Sequence, residues 1–362
     1  MSRGHVIVGL SGGVDSAVSA WLLREQGWRV SGLFMVNWTE DENGYCRSAE
    51  DFQAARAVAE ELGIPLHRVD FSREYRAQVF QHFLAEYAAG RTPNPDLLCN
   101  REIKFAPFRD HALRLGADAV ATGHYARLDS AGDGGPRLLR SVTEDKDQTY
   151  FLALVRRAQF ERVLFPLGDY DKPAVRALAA RAGLPNHQRP DSTGICFIGE
   201  REFRPFLQAH LPAAPGEIVD EQGRVLGRHA GLAFYTLGQR KGLAIGGQRG
   251  AREAPWYVIG KQAERGRLLV SQQADHPALM SRALVTRPFH WIRRPERLDG
   301  PFLARIRHRQ ALQACTLHER ADGGLSLRFE QAQRAAAPGQ YAVVYDGLEC
   351  LGAGEIEQTG QG

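Results

Sequence analysis

The 362-residue sequence lacks several features that would place it in a familiar class. No apolar run approaches the length of a membrane span, and Met1–His5 has no apolar region of a signal peptide. The five cysteines contain no Cys-x-x-Cys pair, which argues against a structural zinc site. The net charge is only +4, so any nucleic-acid surface must be local. We expect a cytoplasmic protein with no membrane partner, whose cysteines are thiols unless they are catalytic.

The sequence does contain two distinct patterns of secondary structure. Apolar strand-like runs alternate with amphipathic helical stretches over the first ~125 residues, which is the signature of a parallel sheet. After Pro212 the pattern changes to short strands separated by Gly and Asp turns, typical of small β domains or barrels. We therefore predict an α/β, Rossmann-like domain at residues 1–210, a small β-rich domain at 211–280 and a β-barrel at 281–362.

The most informative segment is the glycine-rich turn Ser11–Ser16, which follows a predicted strand at 5–10 and precedes a predicted helix at 17–26. Its backbone amides and the helix N-terminus suit a phosphate group. It lacks the lysine-containing pattern of a Walker-type loop, so transfer of a terminal phosphate is not expected. Because ligands gather at the carboxyl ends of parallel strands, we expect this turn, Met35–Asn37 and Gly123–His124 to lie at one edge of the sheet.

Two of the five cysteines lie in settings that favour reactivity. Cys99 and Cys196 follow loop-forming residues instead of standing in a periodic apolar stripe. A reactive thiolate needs exposure and nearby positive or amide groups, and such loops can provide them. The alternative is a buried thiol that acts as a small hydrophobic side chain, and this interpretation suits Cys315 and Cys350. Cys46 lies in a turn-like segment and is left undecided.

Six segments together resemble the MnmA family of bacterial tRNA-specific 2-thiouridylases, in the PP-loop ATP pyrophosphatase superfamily. They occur in the family's order and spacing: Ser11–Ser16, Thr92–Phe105, Ala121–Tyr125, Lys146–Leu152, Asp191–Gly199 and Thr236–Gly242. The glycine-rich turn alone would indicate only the superfamily, whereas the blocks around Cys99 and Cys196 indicate the family. The resemblance extends from about residue 5 to about residue 358.

The resemblance implies a two-stage reaction. In this family ATP activates the C2 oxygen of the wobble uridine, and sulfur from a cysteine persulfide replaces that oxygen. ATP and Mg²⁺ are thus the implied cofactors, and the implied partners are tRNA and a sulfur-relay protein or cysteine desulfurase that donates persulfide. Cys196 would carry the persulfide, and Cys99 would attack the Cys196 sulfur to form a transient disulfide. Asp15 would organise Mg²⁺ or charge, unless it only caps the following helix.

The resemblance also implies binding residues. The ATP-contacting positions are Gly9, Leu10, Ser11, Gly12, Gly13, Val14, Asp15, Ser16, Met35 and Gly123. The tRNA-contacting positions are Asn94, Pro95 and Asp96, which would face the target base, and His124, Lys146, Asp147, Gln148, Arg307, His308 and Gln340. Several of these residues have a purely structural alternative. Met35 could be a core residue, and His124 could be a capped loop histidine. Gln340 and the segment 94–96 could be ordinary turn residues, and the segment 146–148 could be a solvated charged loop.

The residues alone also indicate a basic surface in the last domain. Arg305, Arg307 and Arg309 alternate along a predicted strand at 303–309, so they would share one face and follow an RNA backbone. His308 stands where the family has tyrosine, and it could still stack on a base or donate a hydrogen bond.

Two other functions remain open at this stage. One is a different adenylating enzyme with the same glycine-rich turn, such as an ammonia-using synthetase or a lysidine-type tRNA ligase, which would need no paired cysteines. The other is a catalytically inactive tRNA-binding protein, although the intact turn, Asp15, Cys99 and Cys196 argue against it.

Overall fold

Parallel strands and helices alternate in the first half of the chain, and antiparallel strands fill the second half. The computed structural model describes residues 3–38, 47–130, 132–191, 203–212, 214–246 and 254–360. The α-helices are α1 Val14–Glu25, α2 Arg47–Leu62, α3 Ser72–Tyr75, α4 Gln81–Ala88, α5 Pro95–Cys99, α6 Arg109–Arg114, α7 Thr149–Leu152, α8 Lys172–Arg181 and α9 Phe203–His210. Two π-helical segments, Arg76–Phe80 and Asn100–Phe108, join α3 to α4 and α5 to α6.

The strands form three sheets, one after another along the chain. Those of the first sheet are β1 His5–Gly9, β2 Arg29–Val36, β3 Leu66–Asp70, β4 Ala119–Ala121 and β7 Val163–Leu164, with the hairpin β5 Ala126–Ser130 and β6 Pro136–Arg140 between the last two. The central sheet contains β8 Gly216–Val219, β9 Val225–His229, β10 Tyr257–Gln262 and β11 Arg267–Ser271. The last strands are β12 Met280–Thr286, β13 His290–Trp291, β14 Phe302–Arg305, β15 Gln313–Glu319, β16 Leu325–Arg334, β17 Tyr341–Asp346 and β18 Glu349–Gly360.

The first sheet is parallel and has the strand order β3-β2-β1-β4-β7, which confirms the predicted α/β fold. Val6, Ile7 and Val8 of β1 are fully buried, as expected for a strand that helices cover on both faces. The strand order changes direction at β1, because β2 and β4 pair with its opposite edges. In such sheets the ligand crevice lies beyond the carboxyl end of that strand.

The last domain is a closed barrel. Its strands pair in the order β12-β16-β15-β14-β17-β18, and β12 also pairs with β18 to close the ring. This arrangement confirms the predicted barrel. The β5–β6 hairpin, whose turn the Gly-rich stretch at 129–136 predicts, is joined to the same sheet through the pairing of Leu139 with Glu349. The sequence pattern did not predict that a hairpin from the first domain would extend the barrel sheet.

The predicted arginine stripe is wrong. Strand β14 ends at Arg305, and the chain then turns, with the backbone N–H of Ile306 donating to Gln310 Oε1 at 2.9 Å. Arg305 is only 3% exposed, whereas Arg307 and Arg309 are exposed in the turn. The three guanidinium groups therefore do not share a strand face, since only the first of them belongs to the strand.

A buried ion pair joins the first domain to the barrel. Asp147, which is 0% exposed, accepts a hydrogen bond from the Arg305 guanidinium. The same carboxylate accepts from Thr149 Oγ1 at 2.9 and 3.0 Å, and Arg305 lies over the Tyr345 ring at 4.9 Å. The backbone carbonyl of Asp147 also lies 3.1 Å from the His308 ring. Among the described residues Arg305 pairs only with Asp147, whereas Asp147 also lies 3.7 Å from Arg140, so removal of Asp147 would leave the buried Arg305 charge uncompensated.

We expect Asp147→Asn to lower the free energy of unfolding by about 3 kcal/mol, since it leaves a buried guanidinium without its counter-charge. Urea unfolding followed by tryptophan fluorescence measures this change. Asp299→Asn is the control, because the pair between Asp299 and Arg297 is on the surface and should leave the unfolding midpoint unchanged. Equal shifts in the two variants would contradict the structural role of the buried pair.

A second charged cluster lies between the same two domains. Arg91 Nη2 donates to Glu86 Oε1 at 2.5 Å on the first-domain side, and Arg287 lies 3.2 Å from Glu355 on the barrel side. The hydrogen bond from Arg91 lowers the pKa of Glu86. Burial, reinforced by the negative charge of Glu86, raises the pKa of Glu355 to about 7. The cluster therefore gains or loses a charge close to neutral pH.

This raised pKa makes the stability of the protein pH-dependent. A carboxyl group with a pKa of about 7 when folded and about 4.5 when unfolded favours the folded state at low pH, and this contribution is lost as the pH rises through 7. We expect the melting temperature of Glu355→Gln, relative to that of the wild type, to increase between pH 5.5 and pH 8.5. Differential scanning fluorimetry across this range measures the difference, and a constant offset would contradict the assignment.

Candidate functional site

The glycine-rich turn leads into a helix whose first amide groups have no side-chain cap. Helix α1 begins at Val14, and Gly13 occupies the N-cap position without a capping side chain. Asp15 is therefore inside the first turn, and the alternative that it is the N-cap is wrong. The backbone N–H groups from Val14 to Ser16 have no partner within the helix, whereas the Gly13 N–H donates to Ser11 Oγ at 3.4 Å. An uncapped helix N-terminus of this kind is suited to an anion. The side chains of Leu10 and Val14 are buried, which leaves only their backbone for a ligand.

Hydrogen bonds within the turn, and others from residues far along the chain, hold the turn in place. Ser16 Oγ donates to the Gly13 carbonyl at 3.0 Å and accepts from the Ser11 backbone N–H at 3.2 Å. The Gly12 carbonyl accepts from Asn186 Nδ2 at 2.9 Å and from Arg189 Nη1 at 3.0 Å. Gly12 has φ +82°, a conformation that other residues rarely adopt. Asn186 and Arg189 carry no motif, and sequence reasoning missed them.

The predicted convergence at the sheet edge is confirmed for the turn and Gly123. A Cβ atom on Gly123 would lie 2.9 Å from the Asp15 carbonyl carbon and from the Ser16 nitrogen, so the two segments are in contact. Gly9 ends β1, and a Cβ atom there would lie 3.1 Å from the Phe108 ring. Met35, near the end of β2, is half-buried and packs against the core, so its contact with nucleotide stays a prediction.

An ionic network surrounds Asp15. Its Oδ1 atom accepts hydrogen bonds from Tyr125 Oη and from Lys172 Nζ, both at 2.7 Å. Lys172 also lies 2.7 Å from Asp191, which contacts Lys146 at 2.9 Å and Arg176 at 2.8 Å. The lysine absent from the turn itself is thus supplied by helix α8. Tyr125 and Asp191 stand in the blocks that carry the family resemblance, but nothing in the sequence singled out Lys172.

The network sets the charge state of its members. Burial acts to raise the pKa of Asp191, but hydrogen bonds from Lys172 and Lys146 outweigh it and lower that pKa to about 2. Burial and the Asp15 carboxylate both raise the pKa of Tyr125, so this hydroxyl stays protonated and donates. Asp191 therefore remains ionised and holds Lys172 beside the turn at neutral pH.

The structure contradicts the expectation that Cys99 is exposed. Cys99 ends helix α5 and is 0% exposed, and Asn37 Nδ2 lies 3.8 Å from its Sγ atom. The helix forms because Asn94 Oδ1 accepts from the backbone N–H of Asp96 at 3.2 Å and Pro95 occupies the first turn. This cap-and-proline signal was present in the sequence but was interpreted as a loop. Cys196 and Cys46 lie outside the described residues.

The chain after Cys99 is irregular. A continuous helical run extends from α5 through the π-helical segment Asn100–Phe108 into α6. Phe105 and Ala106 have non-helical backbone angles directly before Pro107, which interrupts helical hydrogen bonding. Such π-helical insertions are frequent at functional sites. Cys99 is thus the last residue of α5, directly before the π-helical segment.

The barrel contacts Thr92, two residues before the segment Asn94–Asp96 that is predicted to face the target base. Gln340 Nε2 donates to the Thr92 carbonyl at 2.7 Å, and the Thr92 backbone N–H donates to the Pro338 carbonyl at 3.0 Å. Pro95 is buried, and Asn94 and Asp96 are half-buried. Gln340 therefore positions the chain next to this segment. Contact of Asn94, Pro95 and Asp96 with the target base remains a prediction.

Three of the predicted tRNA-contacting side chains are held within the protein. The His124 ring packs beside Phe105 and Phe165, and burial, with a contribution from Lys104, holds its pKa well below the usual value. Asp147 is fully buried, and the His308 ring lies 4.3 Å from the ring of Phe151. In this structure the side chains of His124 and Asp147 are not available to RNA, and His308 already has an aromatic partner.

The other predicted contacts are more accessible. The side chain of Lys146 is 37% exposed, Arg307 is exposed, and Gln148 is half-buried with its Oε1 atom accepting from the Tyr125 backbone N–H at 3.0 Å. Lys146 and Gln148 stand on either side of the buried Asp147. The buried Asp147 therefore anchors this segment, and Lys146 and Gln148 lie closer to the surface.

Comparison with known proteins identifies the family. Three family models match in succession: a tRNA methyl transferase HUP domain at residues 4–200, a tRNA methyl transferase PRC-barrel domain at 204–272 and an aminomethyltransferase beta-barrel domain at 281–356. A relative from Alcanivorax borkumensis, named tRNA-specific 2-thiouridylase MnmA, is 52% identical and covers 98% of each chain. The chain belongs to the tRNA-specific 2-thiouridylase family.

Other relatives agree with this assignment. The MnmA relative from Pseudomonas syringae pv. syringae is 54% identical over 98% of this chain and 94% of its own. Membership of the 2-thiouridylase family makes the chain a tRNA sulfurtransferase. Among solved structures, the U34-tRNA thiolase NcsA from Methanococcus maripaludis aligns with 20% identity over 58% of this chain and 67% of that chain, with a TM-score of 0.36.

The part of the chain that the structure describes contains no helix long and apolar enough to cross a membrane.

The burial of Cys99 predicts how its thiol reacts. Cys315 and Cys350 are also buried, as the sequence indicated, and burial raises the pKa of both, that of Cys315 to about 12. We expect iodoacetamide to alkylate Cys99 of the RNA-free protein at least ~10-fold more slowly than in urea, because reaction requires local opening. Peptide mass spectrometry resolves each cysteine, and Cys315 is the internal control. Rapid alkylation of Cys99 alone would contradict its burial.

Proposed function

We propose that this chain uses ATP to adenylate the C2 oxygen of the wobble uridine of tRNA and then replaces that oxygen with sulfur from a persulfide on Cys196. The uncapped N-terminus of α1, with Asp15 and Lys172 beside it, is the observation that supports the activation step most directly. Membership of the 2-thiouridylase family supports the sulfur step and the choice of tRNA as substrate.

The activation step uses the charges around the glycine-rich turn. The amides of Gly13–Ser16 would bind phosphate oxygens, and Lys172 would balance the charge that develops on the departing pyrophosphate. Asp15 would hold Mg²⁺ together with phosphate oxygens, which are the ligands this ion prefers, and the ion would supply further positive charge. Within the described residues no group of three or more His, Cys, Asp or Glu side chains could hold a metal ion alone.

The sulfur step transfers one sulfur atom. The terminal sulfur of the Cys196 persulfide attacks C2 of the adenylated uridine, and AMP departs with the original oxygen. The Cys99 thiolate then attacks the Cys196 sulfur, which releases 2-thiouridine and leaves a Cys99–Cys196 disulfide. A thiol reductant returns both cysteines to thiols, and a sulfur-relay protein or cysteine desulfurase then restores the persulfide.

This sequence of steps requires Cys99 to become accessible. Its thiol is 0% exposed here, so helix α5 must shift when tRNA enters. The neighbouring π-helical segment Asn100–Phe108, with its break at Phe105 and Ala106, is a place where the chain can change course without unfolding a regular helix. Contacts between the site and the extruded base would supply the binding energy for this movement and for the cost of unstacking the base.

The two steps can be measured separately. Purified wild type, Asp15→Asn, Cys99→Ala and Cys196→Ala are incubated with wobble-uridine tRNA, ATP, Mg²⁺ and a persulfide donor. We expect Asp15→Asn to lose both pyrophosphate release and 2-thiouridine, whereas each cysteine variant should keep tRNA-dependent pyrophosphate release and lose at least ~1,000-fold of the thiolation rate. Nucleoside mass spectrometry measures the product, and a coupled phosphate assay measures pyrophosphate.

Cys315→Ala is the matched control, because this thiol lies in the barrel core and should not affect thiolation. Full thiolation by Cys196→Ala would contradict the proposal and favour a different adenylating enzyme. Tight tRNA binding without any pyrophosphate release by the wild type would instead favour an inactive RNA-binding protein.

A further inference from the structure

A cavity of about 350 Å³ lies where the three domains meet. The first domain contributes Thr92, and the central domain contributes the turn at 236–239. The barrel contributes Arg307, Arg334 and Gln340. Its size is at the lower end of the range for small-ligand pockets, which is enough for part of one nucleotide. Among these residues, the family resemblance implies tRNA contact for Arg307 and Gln340, and the basic, glycine-rich segment 238–242 indicates RNA or lid contact without a specific role.

The cavity carries positive charge that nothing on its walls neutralises. Neither Arg307 nor Arg334 forms an ion pair within the described residues, and no lining residue is acidic. Burial and the charge of Arg334 lower the pKa of Arg307, as expected for two cations that face each other. Unpaired guanidinium groups in a partly enclosed site attract anions, and their planar donors match phosphate oxygens.

Both guanidinium groups are positioned by the protein. Arg307 Nη2 donates to the carbonyls of Arg334, at 2.9 Å, and of Ala335. Arg334 Nε donates to the Ala274 carbonyl at 2.7 Å, and its guanidinium lies over the Tyr257 ring at 5.2 Å. Carbonyl oxygens fix the orientation of these groups without cancelling their charge. Each keeps further N–H donors for a ligand.

The cavity adjoins the segment proposed to face the target base. Thr92 lies in its wall two residues before Asn94, and Gln340 of the opposite wall donates to the Thr92 carbonyl. A base that is extruded from the anticodon loop brings the phosphates on either side of it to the protein. A phosphate next to the wobble uridine would therefore reach this cavity.

We propose that the cavity binds the phosphodiester of a nucleotide that flanks the wobble uridine, with Arg334 and Arg307 as its paired cationic ligands. This inference rests on the proposed function, in which tRNA is the substrate. It adds Arg334 and the turn at 236–239 to the RNA-binding surface, and it gives the three-domain junction a role in holding the backbone beside the extruded base. A phosphate contact positions RNA but does not identify the base.

Salt dependence of tRNA binding tests this inference. The dissociation constant of the full chain for wobble-uridine tRNA is measured by fluorescence anisotropy in a KCl titration from about 50 to about 300 mM. We expect Arg334→Gln to weaken binding several-fold and to reduce the slope of log K against log salt by about 0.7, the value for one lost phosphate contact on single-stranded RNA. The reduction should be equal for tRNA with a wobble cytidine.

Two further variants make the result specific. Arg334→Lys keeps the charge and should keep the slope, and Arg307→Gln should reduce the slope by a similar amount. Arg328→Gln is the matched control, since Arg328 is an exposed arginine of the same strand, β16, that does not line the cavity. An unchanged slope in both Arg334→Gln and Arg307→Gln overturns the inference, even if affinity falls, because a base contact or a structural role would have that signature.

The inference and the proposed function can fail independently. If the wild type forms 2-thiouridine but its salt slope is insensitive to Arg334 and Arg307, only the cavity assignment is wrong. If the slope falls as expected but the wild type forms no 2-thiouridine, the phosphate site stands and the proposed chemistry is wrong.

Discussion

The arrangement of the domains depends on the buried ion pair between Asp147 and Arg305. Both charges are out of water, and the buried Arg305 guanidinium is stable only where the Asp147 carboxylate is present. The pair holds the barrel against the first domain, together with the cluster of Glu86, Arg287 and Glu355 and the pairing of β6 with β18. In this arrangement Gln340 meets Thr92, and Arg307 and Arg334 meet the central domain. The buried pair thus supports the three-domain junction, although the pair itself is formed by residues outside the glycine-rich turn.

The glycine-rich turn shows a different use of charge. The turn has no cation of its own, yet Lys172 reaches it from helix α8 and is held between the carboxylates of Asp15 and Asp191. An ammonium group has three N–H donors, so Lys172 can contact both carboxylates at once. Asp191 directly precedes residues 192–200, the segment that contains Cys196, so the same carboxylate links the two parts of the proposed reaction along the chain.

The sequence predicted the parallel sheet, the barrel and the position of the turn, because apolar periodicity and glycine spacing are local signals. It failed where the outcome depended on partners far along the chain. Arg305 looked like part of an exposed stripe, since nothing local shows that Asp147 is its partner. Lys172 carried no motif, and the contact with Asp15 spans 157 positions in sequence. The helix that ends at Cys99 is different, because its signal is local. The N-cap residue Asn94 and the proline at position 95 together indicate a helix start.

The hairpin that joins the barrel sheet constrains how the chain can be made. Strand β6 pairs with β18 at the end of the chain, and Arg140 donates to the Leu348 carbonyl at 2.9 Å. During synthesis the ribosome must therefore add about 200 further residues before the edge of β6 is covered, and an uncovered strand edge invites pairing with other chains. A gene fragment that encodes the first domain alone would carry that open edge permanently, which makes the barrel a folding partner of the first domain.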